Sequence, residues 1–262
     1  MKRTRIEKID ENIPEKFKEF LEGAELYDSS SSPEARVYFI DKECGFYLKR
    51  AARGSLYNEC VMTDYFHKKG LGAEVLGYCS ESFDWLLTRR VMGEDATHID
   101  FISHPKRLCD FLGKTLRELH ESDFSACPVM NRNEGYISLV EENFKKGIFD
   151  LSLTEKLYHF KSSDEAFKIF SEGKSSLKGE VLLHGDYCLP NVMLNRDFTL
   201  SGFIDLGNGG VGDRHIDIFW GRWTLLFNLG TDKYADRFFD AYGRDKIDLD
   251  KLKIIAAAEV FG

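Results

Sequence analysis

The sequence predicts an α+β protein in two parts, a small sheet-plus-helix unit over residues 1–93 and a larger, mainly helical unit over residues 94–262. Three observations carry that prediction. Short strand-like runs crowd the chain before Gly93. Apolar residues at helical spacing dominate after it. A length of 262 residues with 43% apolar and 13% aromatic residues supplies enough burial for one large or two smaller packed units and excludes wholesale disorder.

Taken in order, residues 14–21 read as a short amphipathic helix, and the turn Ser29-Ser30-Ser31-Ser32-Pro33 cannot continue it. Residues 35–40 and 45–49 flank four polar or turn-forming residues and read as a hairpin. Ser55 is placed to cap a helix running to about Lys69, with Met62, Tyr65, Phe66 and Lys69 at helical spacing and Gly70 at its end. Strands over 73–77 and 83–88 complete the first unit. In the second, Leu108, Phe111, Leu112, Leu116 and Leu119 recur on one face of a helix ending near His120, and another helix covers 137–146. Residues 149–179 are polar and weakly periodic, a pattern for one or two surface helices. Residues 180–183, 192–194 and 200–204 read as strands, and helices over about 214–227, 233–242 and 248–261 finish the chain.

Lys+Arg 36 against Asp+Glu 44 gives a net charge of −8, which argues against coating nucleic acid and favours cationic partners. The six cysteines include no C-x-x-C pair and no tight cluster, as expected of reduced thiols in a cytoplasmic protein without a structural zinc site. The basic start leads into mixed charged sequence with no apolar signal region, and no run approaches about 18 apolar residues, so neither secretion nor a membrane span is expected.

The densest chemistry lies in His184-Gly185-Asp186-Tyr187-Cys188-Leu189-Pro190-Asn191, followed fourteen residues after Asn191 by Asp205-Leu206-Gly207. An Asp on a loop after a buried strand, an amide five residues on and a second Asp at a strand end can place three oxygen donors about one small cavity. Phosphoryl transfer uses such a set: one carboxylate takes or orients the acceptor hydroxyl proton, while the amide and second carboxylate hold Mg²⁺ against the phosphates. H-x-D-x-x-x-x-N with D-x-G is also the spacing of the protein-kinase catalytic loop and metal motif. Turn capping alone accounts for Asp186, Asp205 or Asn191 singly, but not for the three together; His184 reads as a satisfied structural side chain.

In the first unit, Lys49 ends a strand and Glu59 shares the apolar face of the following helix, where an unpaired carboxylate is costly. Lys49 is its natural partner, and such a pair aims an ammonium at nucleotide phosphates. Two competing readings arise. Gly207-Asn208-Gly209-Gly210-Val211-Gly212 fits the G-x-G-x-x-G of a dinucleotide-binding turn, and His184, Asp186, Asp205 and His215 could form a metal-dependent hydrolase. The first lacks a following βα half, and the second lacks a ligand set of recognised spacing. A non-catalytic nucleotide-binding protein is a third reading, although Lys49, Asp186, Asn191 and Asp205 are all present.

The 184–191 and 202–213 segments closely resemble those of the aminoglycoside 3′-phosphotransferase family of kinase-like antibiotic phosphotransferases. The likeness spans most of the chain, taking in Lys49, Glu59, Gly93-Glu94, Leu116-Arg117-Glu118-Leu119-His120, Cys127-Pro128 and Glu259-Val260-Phe261. The resemblance implies a two-lobed protein-kinase-like fold and phosphorylation of an aminoglycoside hydroxyl from ATP with Mg²⁺. It implies Asp186 as base, Asn191 and Asp205 as metal ligands, Tyr47 stacking on adenine and the Ser31-Ser32 loop covering phosphate. Lys49 and Glu59 complete the nucleotide set, Asp217 braces the catalytic loop, and Glu259 and Phe261 fall at the acceptor cleft. The departures are on the acceptor side: Asn208 stands where the family usually carries Arg, Arg222 falls one place before the expected helix Arg, the acidic pair near the end is reduced to Ala258-Glu259, and Gly262 follows Phe261. Another small alcohol, an amino alcohol or a sugar, is therefore the alternative acceptor; oligomeric state is not legible.

Overall fold

The computed structural model describes residues 3–9, 12–31 and 33–262. Along the chain come β1 (Thr4–Ile6), α1 (Glu15–Leu21), β2 (Glu25–Asp28), β3 (Ala35–Asp41), β4 (Phe46–Ala52), α2 (Tyr57–Lys68), β5 (Val75–Ser80), β6 (Phe83–Arg89) and β7 (Glu94–Asp95). There follow α3 (Ile99–Ile102), α4 (Pro105–Glu121), α5 (Arg132–Lys146), α6 (Ser163–Gly173), β8 (Val181–Leu183), β9 (Val192–Leu194), β10 (Leu200–Phe203) and β11 (Gly210–Gly212), and then α7 (His215–Leu229), α8 (Ala235–Tyr242) and α9 (Leu249–Glu259). They pack into two units. Met1–Asp95 with Pro190–Gly207 forms the first, and Ala96–Leu189 with Asn208–Gly262 the second. The short segment from Pro190 to Gly207 thus packs with the first unit although it lies far along the chain.

The first unit is built on an antiparallel six-stranded sheet in the order β1-β2-β3-β4-β6-β5. Strand periodicity sorts its side chains. Tyr38 and Ile40, Phe46 and Leu48, and Trp85 and Leu87 point to one face and pack with Phe17 of α1 into the core. Burying a Leu48 or Ile40 side chain completely contributes about 1.5–3 kcal/mol each. The intervening residues Val37, Tyr47, Lys49, Leu86 and Thr88 line the opposite face, which leaves that face free for chemistry. A second small sheet, β10-β9-β7, carries the Asn191 and Asp205 ends of its strands.

In the second unit Leu108, Leu112, Leu116 and Leu119 form the buried stripe of α4, which packs on α8 and α7. Gly113 lets α4 and α8 approach closely, since a Cβ there would lie 2.7 Å from that of Ala241. Strand β8 pairs antiparallel with β11, Leu182 opposite Val211.

Several boundaries differ from the sequence reading. Helix α2 starts at Tyr57, and the Ser55 hydroxyl donates to the Ala52 carbonyl rather than capping it. Strands β1, β2 and β7 are too short or too polar to show a period. The run 207–212 is not a dinucleotide-binding turn, because Gly210–Gly212 pairs as β11. Helix α5 begins five residues earlier than expected, and only 163–173 of the polar 149–179 stretch is α-helical, capped by the Ser162 side chain.

Candidate active site

The first unit contains a cavity of about 470 Å³, within the range of small-ligand sites. Its lining includes Ser29, Ser30, Ser31, Tyr47, Lys49, Glu59, Asn191 and Asp205. Ser32 lies outside the described residues. The ladder explains how the side chains converge: Lys49 of β4 stands opposite Val37 and Leu86, and Tyr47 opposite Phe39 and Thr88.

Lys49 Nζ donates to Glu59 Oε2 at 2.7 Å and to Asp205 Oδ1 at 2.8 Å. Burial disfavours the ammonium, but the two carboxylates outweigh it and leave the Lys49 pKa raised. Burial pushes Glu59 up, against the pull of Lys49. The Asp205 side chain is half exposed, and its backbone adopts φ of 60°, uncommon for a non-glycine residue. The Asn58 side chain donates to the Gly207 carbonyl, so α2 holds the D-x-G turn beside Glu59. The Ser29 hydroxyl, buried in the same wall, has no hydrogen-bond partner among the described residues.

Asp186 belongs to the second unit, on a loop pinned from several sides. Asp217 of α7 accepts from His184 N at 2.8 Å and Gly185 N at 2.7 Å. Tyr187 donates its hydroxyl to the Leu112 carbonyl, and Leu189 N donates to Thr224 Oγ1. Gly185 has φ of 87°, and a Cβ there would fall 1.9 Å from the Asn208 carbonyl oxygen, so only glycine fits before Asp186.

Asp217 is itself fixed. It accepts from His120 Nε2 at 3.1 Å, and His120 Nδ1 takes the Tyr242 hydroxyl at 2.8 Å. Burial lowers the His120 pKa, so the neutral ring carries its proton on Nε2, the only arrangement a carboxylate acceptor allows. Where the resemblance leads one to expect Arg, Asn208 instead receives a guanidinium from α5: Arg132 Nε donates to its carbonyl and Nη2 to its Oδ1, at 2.8 and 2.9 Å. The motifs include His120 without assigning it this role, and nothing in them signals Arg132 or Tyr242, because a partner brought in from another helix leaves no local pattern.

Glu259 and Phe261 are both buried. Glu259 Oε1 accepts from the Tyr136 hydroxyl at 2.8 Å and from Trp220 Nε1 at 3.2 Å. The Phe261 ring packs edge-on against Phe144 and Phe167, and its carbonyl accepts from Asn143. Phe261 is thus a core residue anchoring the turn beside Glu259. Arg222 is paired with Asp232 through two hydrogen bonds. His215 is also engaged, its Nδ1 on Asp213 and its Nε2 accepting from Asp248 N. Among the described residues no group of three or more His, Cys, Asp or Glu is placed to hold a metal ion.

Burial pushes Glu259 up to about 7, with Asp186 adding to the effect while Tyr136, Trp220 and Arg132 oppose it. The folded value lies above the ordinary 4.5. Stability from this carboxyl is therefore full below about pH 4.5 and lost as pH rises through about 7, on the order of 3 kcal/mol in all. Glu259→Gln keeps an acceptor for Tyr136 and Trp220, so it lies within about 1 kcal/mol of the wild type at pH 5 and exceeds it by roughly 3 kcal/mol at pH 8. Urea titrations at the two pH values check this, and an equal difference at both would refute it.

One unit thus holds a lysine between two carboxylates, and the other holds a braced H-G-D loop. The chain belongs to the phosphotransferase enzyme family, whose model matches residues 30–255. It is 49% identical over 253 residues, 96% of each chain, to a Lactococcus lactis subsp. lactis protein named "Probable aminoglycoside 3'-phosphotransferase". It is 30% identical to the aminoglycoside 3′-phosphotransferase of Niallia circulans over 178 residues, 68% of this chain and 67% of that one. The crystal structure of a type VIII aminoglycoside-3′-phosphotransferase shares the fold, with a TM-score of 0.73 at 22% identity over 92% of this chain and 94% of that one. The family read from the motifs is the right one, and so is the two-lobed kinase-like fold.

Proposed function

We infer that this chain uses ATP and Mg²⁺ to phosphorylate a hydroxyl group of an aminoglycoside. The observation that carries the reading is the Lys49 ammonium fixed between Glu59 and Asp205 in the wall of the cavity. The first unit serves as the nucleotide-binding lobe and the second as the catalytic and acceptor-binding lobe. Lys49, positioned by Glu59, meets the α/β-phosphates; Tyr47 stacks on the base; Ser31, with Ser32, covers phosphate. The unpartnered Ser29 hydroxyl supports a polar ligand there.

The Asn191 amide and Asp205 carboxylate line the same cavity and are hard oxygen donors that suit Mg²⁺, an ion that completes its shell with water and phosphate. Bound there, Mg²⁺ would neutralise phosphate charge. Asp186 takes the acceptor hydroxyl proton as the new O–P bond forms, which leaves ADP as the leaving group. Glu259 is the acceptor-side carboxylate for a small cationic substrate, and Phe261 anchors its turn. The relatives' names and the net charge of −8 support a polycationic acceptor. No helix of the described residues is long and apolar enough to cross a membrane, and a cytoplasmic location accords with the free thiols.

A second reading, the same chemistry on an amino alcohol or sugar, is favoured by Asn208 and by the burial of Glu259. The test is ADP release across a panel of kanamycin- and neomycin-like compounds, uncharged sugars and amino alcohols. Aminoglycosides are expected to stimulate release; turnover confined to another alcohol would overturn the acceptor and keep the kinase.

A further inference from the structure

The cavity-facing side of the six-stranded sheet carries an aromatic row that runs across three strands. Tyr27, Phe39 and Tyr47 stand opposite one another in the ladder, and the Phe39 and Tyr47 rings lie 5.2 Å apart at 50°. Phe39 is buried at the middle of the row, where the backbone of Gly45 closes against its edge. Tyr47 lines the cavity. Arg3, which immediately precedes β1, completes the row from outside: its guanidinium carbon lies 3.5 Å from the centre of the Phe39 ring and 5.7 Å from that of Tyr47. One of its nitrogens donates to the Tyr47 hydroxyl at 2.7 Å.

This geometry gives Arg3 two holds at once. The planar cation rests on the negative face of one ring and hydrogen-bonds the polar tip of the next. A tyrosine ring tethered at its hydroxyl cannot swing about its side-chain torsions without breaking that bond. Arg3 does not itself line the cavity, so any effect on a ligand passes through Tyr47. We propose that Arg3 is a positioning residue for the nucleobase, holding the Tyr47 ring in the orientation that accepts the base before nucleotide arrives. The proposal rests on the nucleotide reading of the cavity and adds the device that pre-organises it.

The experiment is calorimetric titration with Mg·ADP of the wild type, Arg3→Met, Arg3→Lys, Tyr47→Phe and the Arg3→Met/Tyr47→Phe pair, with tripolyphosphate as a ligand that lacks a base. Arg3→Met is expected to raise the Kd for ADP about fivefold, a scale set by lost pre-organisation. Arg3→Lys, which keeps the charge but not the planar fork, falls between. Tyr47→Phe keeps the ring but removes the shared bond, so the double variant is no weaker than the weaker single one. Tripolyphosphate affinity stays at the wild-type value throughout. An ADP Kd within twofold of wild type in Arg3→Met would overturn the proposal, whatever happens to thermal stability. Equal losses for ADP and tripolyphosphate would also overturn it, because they would mean a general disturbance of the sheet. A wild type that binds no ADP would overturn the nucleotide reading and this inference together, a result distinct from either of the others.

Discussion

Asp186→Ala lowers kcat by at least about 10²-fold, the scale of a lost general base, while the Kd for ATP stays close to that of the wild type. The two halves of this expectation have separate grounds. Asp186 stands on the loop that Asp217, Leu112 and Thr224 hold through His184, Gly185, Tyr187 and Leu189. That many anchors fix a carboxylate's position ahead of reaction, the condition under which a base is most effective. The cavity that holds Lys49 is lined by residues of the other packed unit, so truncating Asp186 removes no cavity wall. Single-turnover phosphoryl transfer and nucleotide titration on the same preparations separate the effects. Turnover equal to the wild type would remove Asp186 from the mechanism, and a parallel loss of ATP affinity would contradict its confinement to the chemical step.

What could be read from the sequence follows from how local each signal is. The 184–191 and 205–207 motifs are contiguous, so their chemistry is legible wherever the chain goes. The Lys49–Glu59 pair is legible for a different reason: a carboxylate on the apolar face of a helix demands a cation, and few are at hand. Helices α4, α7, α8 and α9 show through their apolar spacing. By contrast β1, β2 and β7 have two to four residues each, too few to reveal a period, and they exist because neighbouring strands offer their backbone a ladder. The partners that hold Asn208 and Asp217 in place are hidden in the same way. Arg132 meets Asn208 across 76 positions, and His120 meets Asp217 across 97. The resemblance points to Glu259 as an acceptor-side acid, yet its burial under Tyr136 and Trp220 is a tertiary fact with no local sign.

Lys49→Met abolishes productive ATP use, with kcat/KM down by about 10²–10³-fold, the range for losing one preorganised charge at a phosphoryl group. It also changes how stability depends on pH. In the wild type the ammonium sits between Glu59 and Asp205, and the Lys49 and Glu59 side chains are only 19% and 12% exposed. Removing one member of a buried pair leaves the other uncompensated, at a cost of about 3–5 kcal/mol. Asp205, half exposed, recovers water; Glu59 cannot. Burial already raises the Glu59 pKa against the pull of Lys49, and without Lys49 that shift grows, so the carboxyl takes up a proton more readily. A carboxyl whose folded pKa lies above its unfolded one contributes stability that is full below the unfolded value and lost as pH rises through the folded one. Lys49→Met is therefore nearest the wild type in acid and loses stability relative to it as pH rises above about 4.5. Adding Glu59→Gln removes the stranded charge, so the double variant regains most of the stability at pH 8 and flattens its pH dependence. It regains none of the activity, since no ammonium is left to meet phosphate. Denaturant titrations from pH 5 to pH 8 beside ATP-dependent turnover decide the matter. Recovery of turnover in the double variant would show that Lys49 serves only to neutralise Glu59.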